Sequence, residues 1–176
     1  WCQTMSNLRL INETTVTSGV SSMYATDIFS NNFDIYKVVV NDISTASTNA
    51  TNLYYRFVNS SGSVVTSANY DYGTLQLRDE QAFVQYRTTN DTEIQRNLSD
   101  LTPEGFSSVS YIFNPTNSSS YTFLLEQGMG AVTGLLRASK QIGVLKQTAS
   151  MTGFGFYLSS STFTSGVIRT YGLSVT

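Results

Sequence analysis

The chain has no histidine, 1 cysteine and 2 prolines among its 176 residues, and charged side chains make up only 12% of it. Without histidine, the usual general base near neutral pH and the commonest transition-metal ligand are missing. A Ser-His-Asp triad cannot be assembled. The lone thiol, Cys2, sits beside the lone tryptophan, Trp1, so neither a disulfide nor a cysteine-based zinc site is available within the chain. Stability must come from packing and sheet ladders. The 10 basic and 12 acidic residues are scattered singly, for a formal net charge of -2, and no basic stripe exists to neutralise a row of phosphates. Nucleic acid is therefore not an expected partner. No apolar run approaches the length of a membrane span, and the first residues lack the charged-then-apolar pattern of a signal peptide. Neither membrane insertion nor export by a cleaved signal is expected.

What the chain has in quantity is strand-forming surface. Tyr and Phe number 11 and 10, among many Val, Ile and Thr residues whose flat or branched side chains suit a pleated sheet. That aromatic content separates the chain from a disordered one, which cannot offset its ordering entropy. The expected division is an N-terminal arm over residues 1–7 and a β-sandwich domain over residues 8–176. Met5-Ser6-Asn7 reads as a natural start, which would place residues 1–4 upstream of it. Trp1, if ordered, is expected to dock on a neighbouring subunit, because terminal segments order only when tied down.

Alternation and turn residues organise the remainder. The run Phe33-Asp34-Ile35-Tyr36-Lys37-Val38-Val39-Val40 is β-branched and apolar on both faces, the pattern of a central strand buried on two sides. Leu53, Tyr55 and Phe57 share one face of a strand, and Tyr121, Phe123 and Leu125 are assigned to a core face in the same way. Segments 135–138 and 142–145 read as a hairpin. Residues 79–102 turn polar and predict a long excursion, with a short helix as one option, of a kind that is usually functional or mobile. The closing runs 154–158 and 167–175 form a strand pair whose connection ends at Gly166. About ten short strands without helical periodicity or internal repeat predict an all-β, single-domain antiparallel β-sandwich, jelly-roll-like, with long loops.

For chemistry the chain offers carboxylates, notably Asp79/Glu80 and Asp91/Glu93. A glycosidase needs two such groups facing each other across a sugar, and solvated loop charges are the favoured account of these pairs. The Asp-rich loop of a calcium site is lacking. No cofactor and no catalytic residue is expected. The Tyr70-Asp71-Tyr72 run is the remaining candidate for glycan or partner contact, together with Trp1. Aromatic rings beside an acid suit a sugar-binding face, but the favoured reading packs both tyrosines at the sandwich edge with their hydroxyls reaching water. Asn-x-Ser/Thr triplets at Asn12, Asn49, Asn59, Asn90, Asn97 and Asn117 follow from the Ser/Thr content.

The runs Tyr36-Lys-Val-Val-Val-Asn41, Tyr55-Arg-Phe-Val-Asn-Ser-Ser-Gly62, Asn69-Tyr-Asp-Tyr72 and Phe163-Thr-Ser-Gly-Val-Ile-Arg-Thr-Tyr-Gly-Leu173 resemble small jelly-roll-like virion structural proteins of tailed bacteriophages, notably marine ones. The resemblance covers most of the chain from Met5 onward. It implies a non-enzymatic capsid decoration (cement) protein or tail appendage, packing as a homo-oligomer against virion proteins such as a major capsid or tail protein. Such a protein would be assembled in the host cytoplasm, released by lysis and carried on the virion. The alternative is a jelly-roll carbohydrate-binding module that attaches to host surface glycans through Tyr70 to Tyr72 or the 79–102 excursion. Low charge suits subunits packed on identical neighbours, since few charges then need desolvation.

Overall fold

The computed structural model describes residues 7–17, 19–46, 51–96, 105–132 and 134–173. Trp1, and with it most of the expected arm, lies outside them. The described residues form twelve strands and no helix: β1 (Leu8–Thr15), β2 (Ser22–Ala25), β3 (Ile35–Thr45), β4 (Leu53–Asn59), β5 (Tyr70–Arg78), β6 (Val84–Asp91), β7 (Ile94–Arg96), β8 (Phe106–Phe113), β9 (Thr122–Val132), β10 (Leu135–Leu145), β11 (Met151–Leu158) and β12 (Phe163–Leu173). They pair into an eight-stranded sheet, β1-β12-β3-β8-β9-β10-β5-β6, and a four-stranded sheet, β2-β11-β4-β7. Every pairing is antiparallel.

The first four strands of the large sheet and the four of the small one have the strand order of a jelly roll, in which β1/β2, β3/β4, β7/β8 and β11/β12 each step from one sheet to the other. The hairpins β5–β6 and β9–β10 are insertions in that frame, and both extend the large sheet beyond β8. The strands form where alternation and β-branching agree, as in β4, where Leu53, Tyr55 and Phe57 are all buried. Asn59 ends that strand: its side chain accepts the amides of Ser61 and Ser63 at 3.0 Å each, and Gly62 supplies the positive φ of the turn. Between the sheets, Tyr36, Val38, Val40, Ile112 and Ile168 of the large sheet meet Tyr55, Phe57, Phe154 and Phe156 of the small one. The aromatics interlock, with Phe154 and Phe156 edge to face at 5.1 Å and Tyr55 stacked on Phe154 at 5.6 Å.

Several sequence expectations change. The 79–102 excursion contains two strands, β6 and β7, and no helix among its described residues. Segments 135–138 and 142–145 belong to one continuous strand, β10, whose hairpin partner is β9. The closing runs are strands but do not pair: β11 joins β4 and β2, whereas β12 crosses over to lie between β1 and β3. Gly166, at the bend of β12, has φ +133, and a Cβ there would meet Ile43 at 2.6 Å. β3 is central, but within its run Ile35–Val40 Tyr36, Val38 and Val40 are buried, while Ile35, Lys37 and Val39 are half-buried because no second layer covers their side. In β9 the assigned core face is reversed: Thr122, Leu124 and Glu126 point inward, and Phe123 is 43% exposed.

Candidate functional site

The reversal in β9 comes from a polar layer inside the sandwich. Arg96 on β7 and Glu126 on β9 are both fully buried, with Arg96 Nε 2.8 Å from Glu126 Oε1. Tyr55 Oη donates to the same carboxylate oxygen at 2.5 Å, and Arg96 Nη2 donates to Ser139 Oγ at 2.9 Å. The guanidinium lies 3.6 Å from the centroid of the Phe106 ring, a cation–π contact in a dry site. Gly128 makes room for it, because a Cβ there would fall 2.6 Å from Arg96 Nη2. Gln141 Nε2 donates to the Gln95 carbonyl at 2.7 Å and ties β10 to β7. Burial pushes the Tyr55 phenol well above its ordinary pKa, and the neighbouring Glu126 carboxylate adds to the shift. This cluster is closed to solvent, so its chemistry is that of a clamp between sheets.

Side chains alternate along a strand, so with Thr122, Leu124 and Glu126 inward the apolar residues between them face outward. Across the ladder, Phe113 (β8), Phe123 (β9) and Val144 (β10) stand in one row, and Tyr111, Leu125 and Ile142 in the next. Beyond the polar pair Gln127 and Lys140, Met129 and Ala138 continue the face to Leu77 on β5. Ile142 is 62% and Met129 59% exposed. Two open grooves cross this surface. One of about 600 Å³ is lined by Phe113, Phe123, Leu125, Ile142 and Val144, with Asp71 and Arg87 at its edge. The other, about 540 Å³, is lined by Val39, Val109, Leu77, Met129 and Lys140. Single exposed apolar residues are ordinary; a contiguous face of them marks an interaction surface.

The residues singled out from sequence are placed differently. Tyr70 is fully buried, with its hydroxyl accepting the Phe57 amide and donating to the Val65 carbonyl, both at 3.1 Å. Burial pushes its phenol up. Tyr72 is also buried, its Oη 3.3 Å from Gln95 Oε1. Both tyrosines are therefore interior residues of β5 instead of an exposed pair at the sandwich edge. Asp71 alone points outward, where it pairs with Lys146 at 2.9 Å and accepts the Asn90 amide at 2.8 Å. Trp1 lies outside the described residues.

The acidic pairs are engaged locally. Asp79 accepts the Leu136 amide at 3.0 Å, and Glu80 meets Arg137 at 2.9 Å. Asp91 accepts the Thr92 amide at 2.7 Å, and Glu93 lies 2.6 Å from Arg56. Partial burial works to raise the Glu93 pKa, but hydrogen bonds from Thr92, Tyr157 and Arg56 outweigh it and hold the carboxyl below its usual range. Arg56 also lies over the Tyr157 ring at 4.4 Å, and Tyr157 stacks on Tyr54 at 4.8 Å. This ladder on the outside of the small sheet is assembled from two strands, β4 and β11, and the turn between β6 and β7, which is why no local motif announced it. Among the described residues no three His, Cys, Asp or Glu side chains cluster as metal ligands would.

No protein-family model matches the chain, and no curated protein matches it in sequence. A solved structure, the crystal structure of an infectious bursal disease virus VP2 subviral particle, is similar over 95% of this chain and 40% of that one, at 12% identity and a TM-score of 0.16. The chain thus spans well under half the length of that neighbour, and a superposition at that score does not establish a shared fold.

Proposed function

We propose that the chain is a non-enzymatic structural component of a tailed-phage particle, a capsid decoration or tail accessory protein that works by packing against copies of itself and neighbouring virion proteins. The observation that carries the reading is the outer face of the large sheet, where a jelly-roll frame has been widened by two hairpins and the surface added by β9, β10 and β5 carries exposed Phe123, Met129, Ile142, Leu75 and Leu77. A sheet face of that composition is suited to contact with another protein layer. The buried charged cluster favours a structural role too, since it holds the widened sheet to the small one and is closed to a substrate. The acidic side chains of the sequence-derived pairs serve local hydrogen bonds and ion pairs. The rival glycan-binding reading loses its ring pair, because Tyr70 and Tyr72 are interior residues.

Mass spectrometry of purified particles, beside light scattering of the isolated chain, tests the proposal. The chain is expected in stoichiometric amounts in particles and as an oligomer in solution. Its absence from particles would refute the virion assignment.

A further inference from the structure

The inner face of the large sheet carries a polar row that crosses four adjacent strands. Ser110 on β8, Glu126 on β9, Gln141 on β10 and Thr74 on β5 stand directly across the ladder from one another. All are buried, none more than 4% exposed. Each holds an oxygen without a hydrogen-bond partner among the described residues: Ser110 Oγ, Glu126 Oε2, Gln141 Oε1 and Thr74 Oγ1. In folded proteins roughly nine in ten or more buried polar groups bond to protein or to ordered water, so orphans standing in register need one common explanation. We propose that this row is a binding site for a file of ordered water molecules, held between the two sheets from β8 to β5. The inference goes beyond the virion reading and does not depend on it.

Side-chain length is the first argument. Glu126 Oε1 is taken by Arg96 and Tyr55, and Gln141 Nε2 by the Gln95 carbonyl, so both long side chains are pinned by groups of the small sheet. The Gln141 bond also fixes its amide, because the reversed amide would set oxygen against the Gln95 carbonyl. Ser110 and Thr74 carry their hydroxyls one atom past Cβ and stay close to their own sheet. The pinned oxygens cannot drop onto them, and room is left at both ends of the row. Strand spacing is the second argument. Neighbours lie about 4.8 Å apart, a gap that a water making two bent bonds of about 2.8 Å bridges. One water donates to Glu126 Oε2 and accepts the Ser110 hydroxyl; another donates to Gln141 Oε1 and accepts the Thr74 hydroxyl. Between Oε2 and Oε1 both neighbours are acceptors, and a molecule with two donors is needed there, as water supplies. A hard cation also suits acceptors, but it takes about six to eight oxygens, and the single carboxylate of this row is already neutralised by Arg96. Phe106 covers the guanidinium two inward rows further along β8, so that contact stays dry.

The test is a high-resolution crystal structure of the full chain, beside magnetic relaxation dispersion of the solvent oxygen, which detects waters held inside a protein. Both are applied to wild type, Thr74→Val and Ser110→Ala, with circular dichroism to confirm that each variant is folded. Wild-type density is expected to show water within about 3.2 Å of both Glu126 Oε2 and Gln141 Oε1. Each variant is expected to lose the water beside the hydroxyl it removes and to show a smaller dispersion amplitude than wild type. A wild-type map in which these two oxygens bond directly to protein groups, with no water in the row, overturns the proposal, and that map decides even if both variants fail to fold. A peak with oxygen ligands at about 2.3–2.6 Å also overturns it, since the row then takes a cation. Folded variants whose dispersion amplitude equals that of wild type overturn it as well, because the long-lived waters then lie elsewhere.

Discussion

At the scale of the residue, the Arg96–Glu126 pair governs the most. A buried ion pair adds little net stability compared with apolar replacements, but removing one partner strands the other charge in a dry interior. Glu126→Gln is therefore expected to cost about 3–5 kcal/mol in urea unfolding, and Arg96→Met/Glu126→Leu/Tyr55→Phe to recover most of it. Tyrosines set the alkaline limit. Burial raises the phenol pKa values of Tyr55, Tyr70 and Tyr157 above the ordinary 10.0. Their contribution is fully present below pH 10 and is lost as pH rises further, because there the unfolded chain alone ionises them. Ionisation followed by tyrosinate absorbance is expected to coincide with unfolding by circular dichroism; free titration of these phenols in the folded chain would contradict it. At the acid end, Glu93 and Asp71 are held below their ordinary range and Glu80 is lowered to about 2, so their contribution, present above about pH 4.5, disappears as pH falls toward those lowered values.

At the scale of the element, β9 is the informative strand. Leu124 is 2% exposed while its neighbour Phe123 is 43% exposed, so Leu124→Ala is expected to cost about 2–5 kcal/mol and Phe123→Ala less than about 1 kcal/mol, compared by urea unfolding at concentrations too dilute for association. The reverse ranking would restore the sequence-based assignment. Composition and alternation made the all-β class legible, and the faces of β4 could be read because Leu53, Tyr55 and Phe57 all lie on the covered side. The same rule failed in β9, where the partner that draws Glu126 inward is Arg96, thirty residues back in sequence and on the other sheet. β6 was hidden for a different reason. It is an edge strand with a largely polar, exposed sequence, and its residues carry no apolar period to detect. In β5 the Tyr-Asp-Tyr run places both rings inward and Asp71 outward, and spacing alone does not say which face is inside. The apolar outer face was present in the sequence as Phe123, Leu125, Ile142 and Val144, but Phe123 and Leu125 read as core and Ile142 and Val144 as one arm of a hairpin.

At the scale of the molecule, connectivity dominates. β12, drawn from the far end of the described chain, lies between β1 and β3, both from its beginning. Deleting residues 163–176 is expected to abolish cooperative unfolding altogether, rather than trim one edge; a shortened chain that still melts sharply would show that the rest folds alone. Folding of the whole chain is expected on the millisecond-to-second scale of non-local β topologies, measurable by stopped-flow Tyr fluorescence. The place of β12 also bears on synthesis. A growing chain at about 5–20 residues per second holds β1 and β3 as open edges until the last strand clears the ribosomal exit tunnel. Through that interval β1 has no partner, and the open edge it shares with β3 is free to take another strand in place of β12.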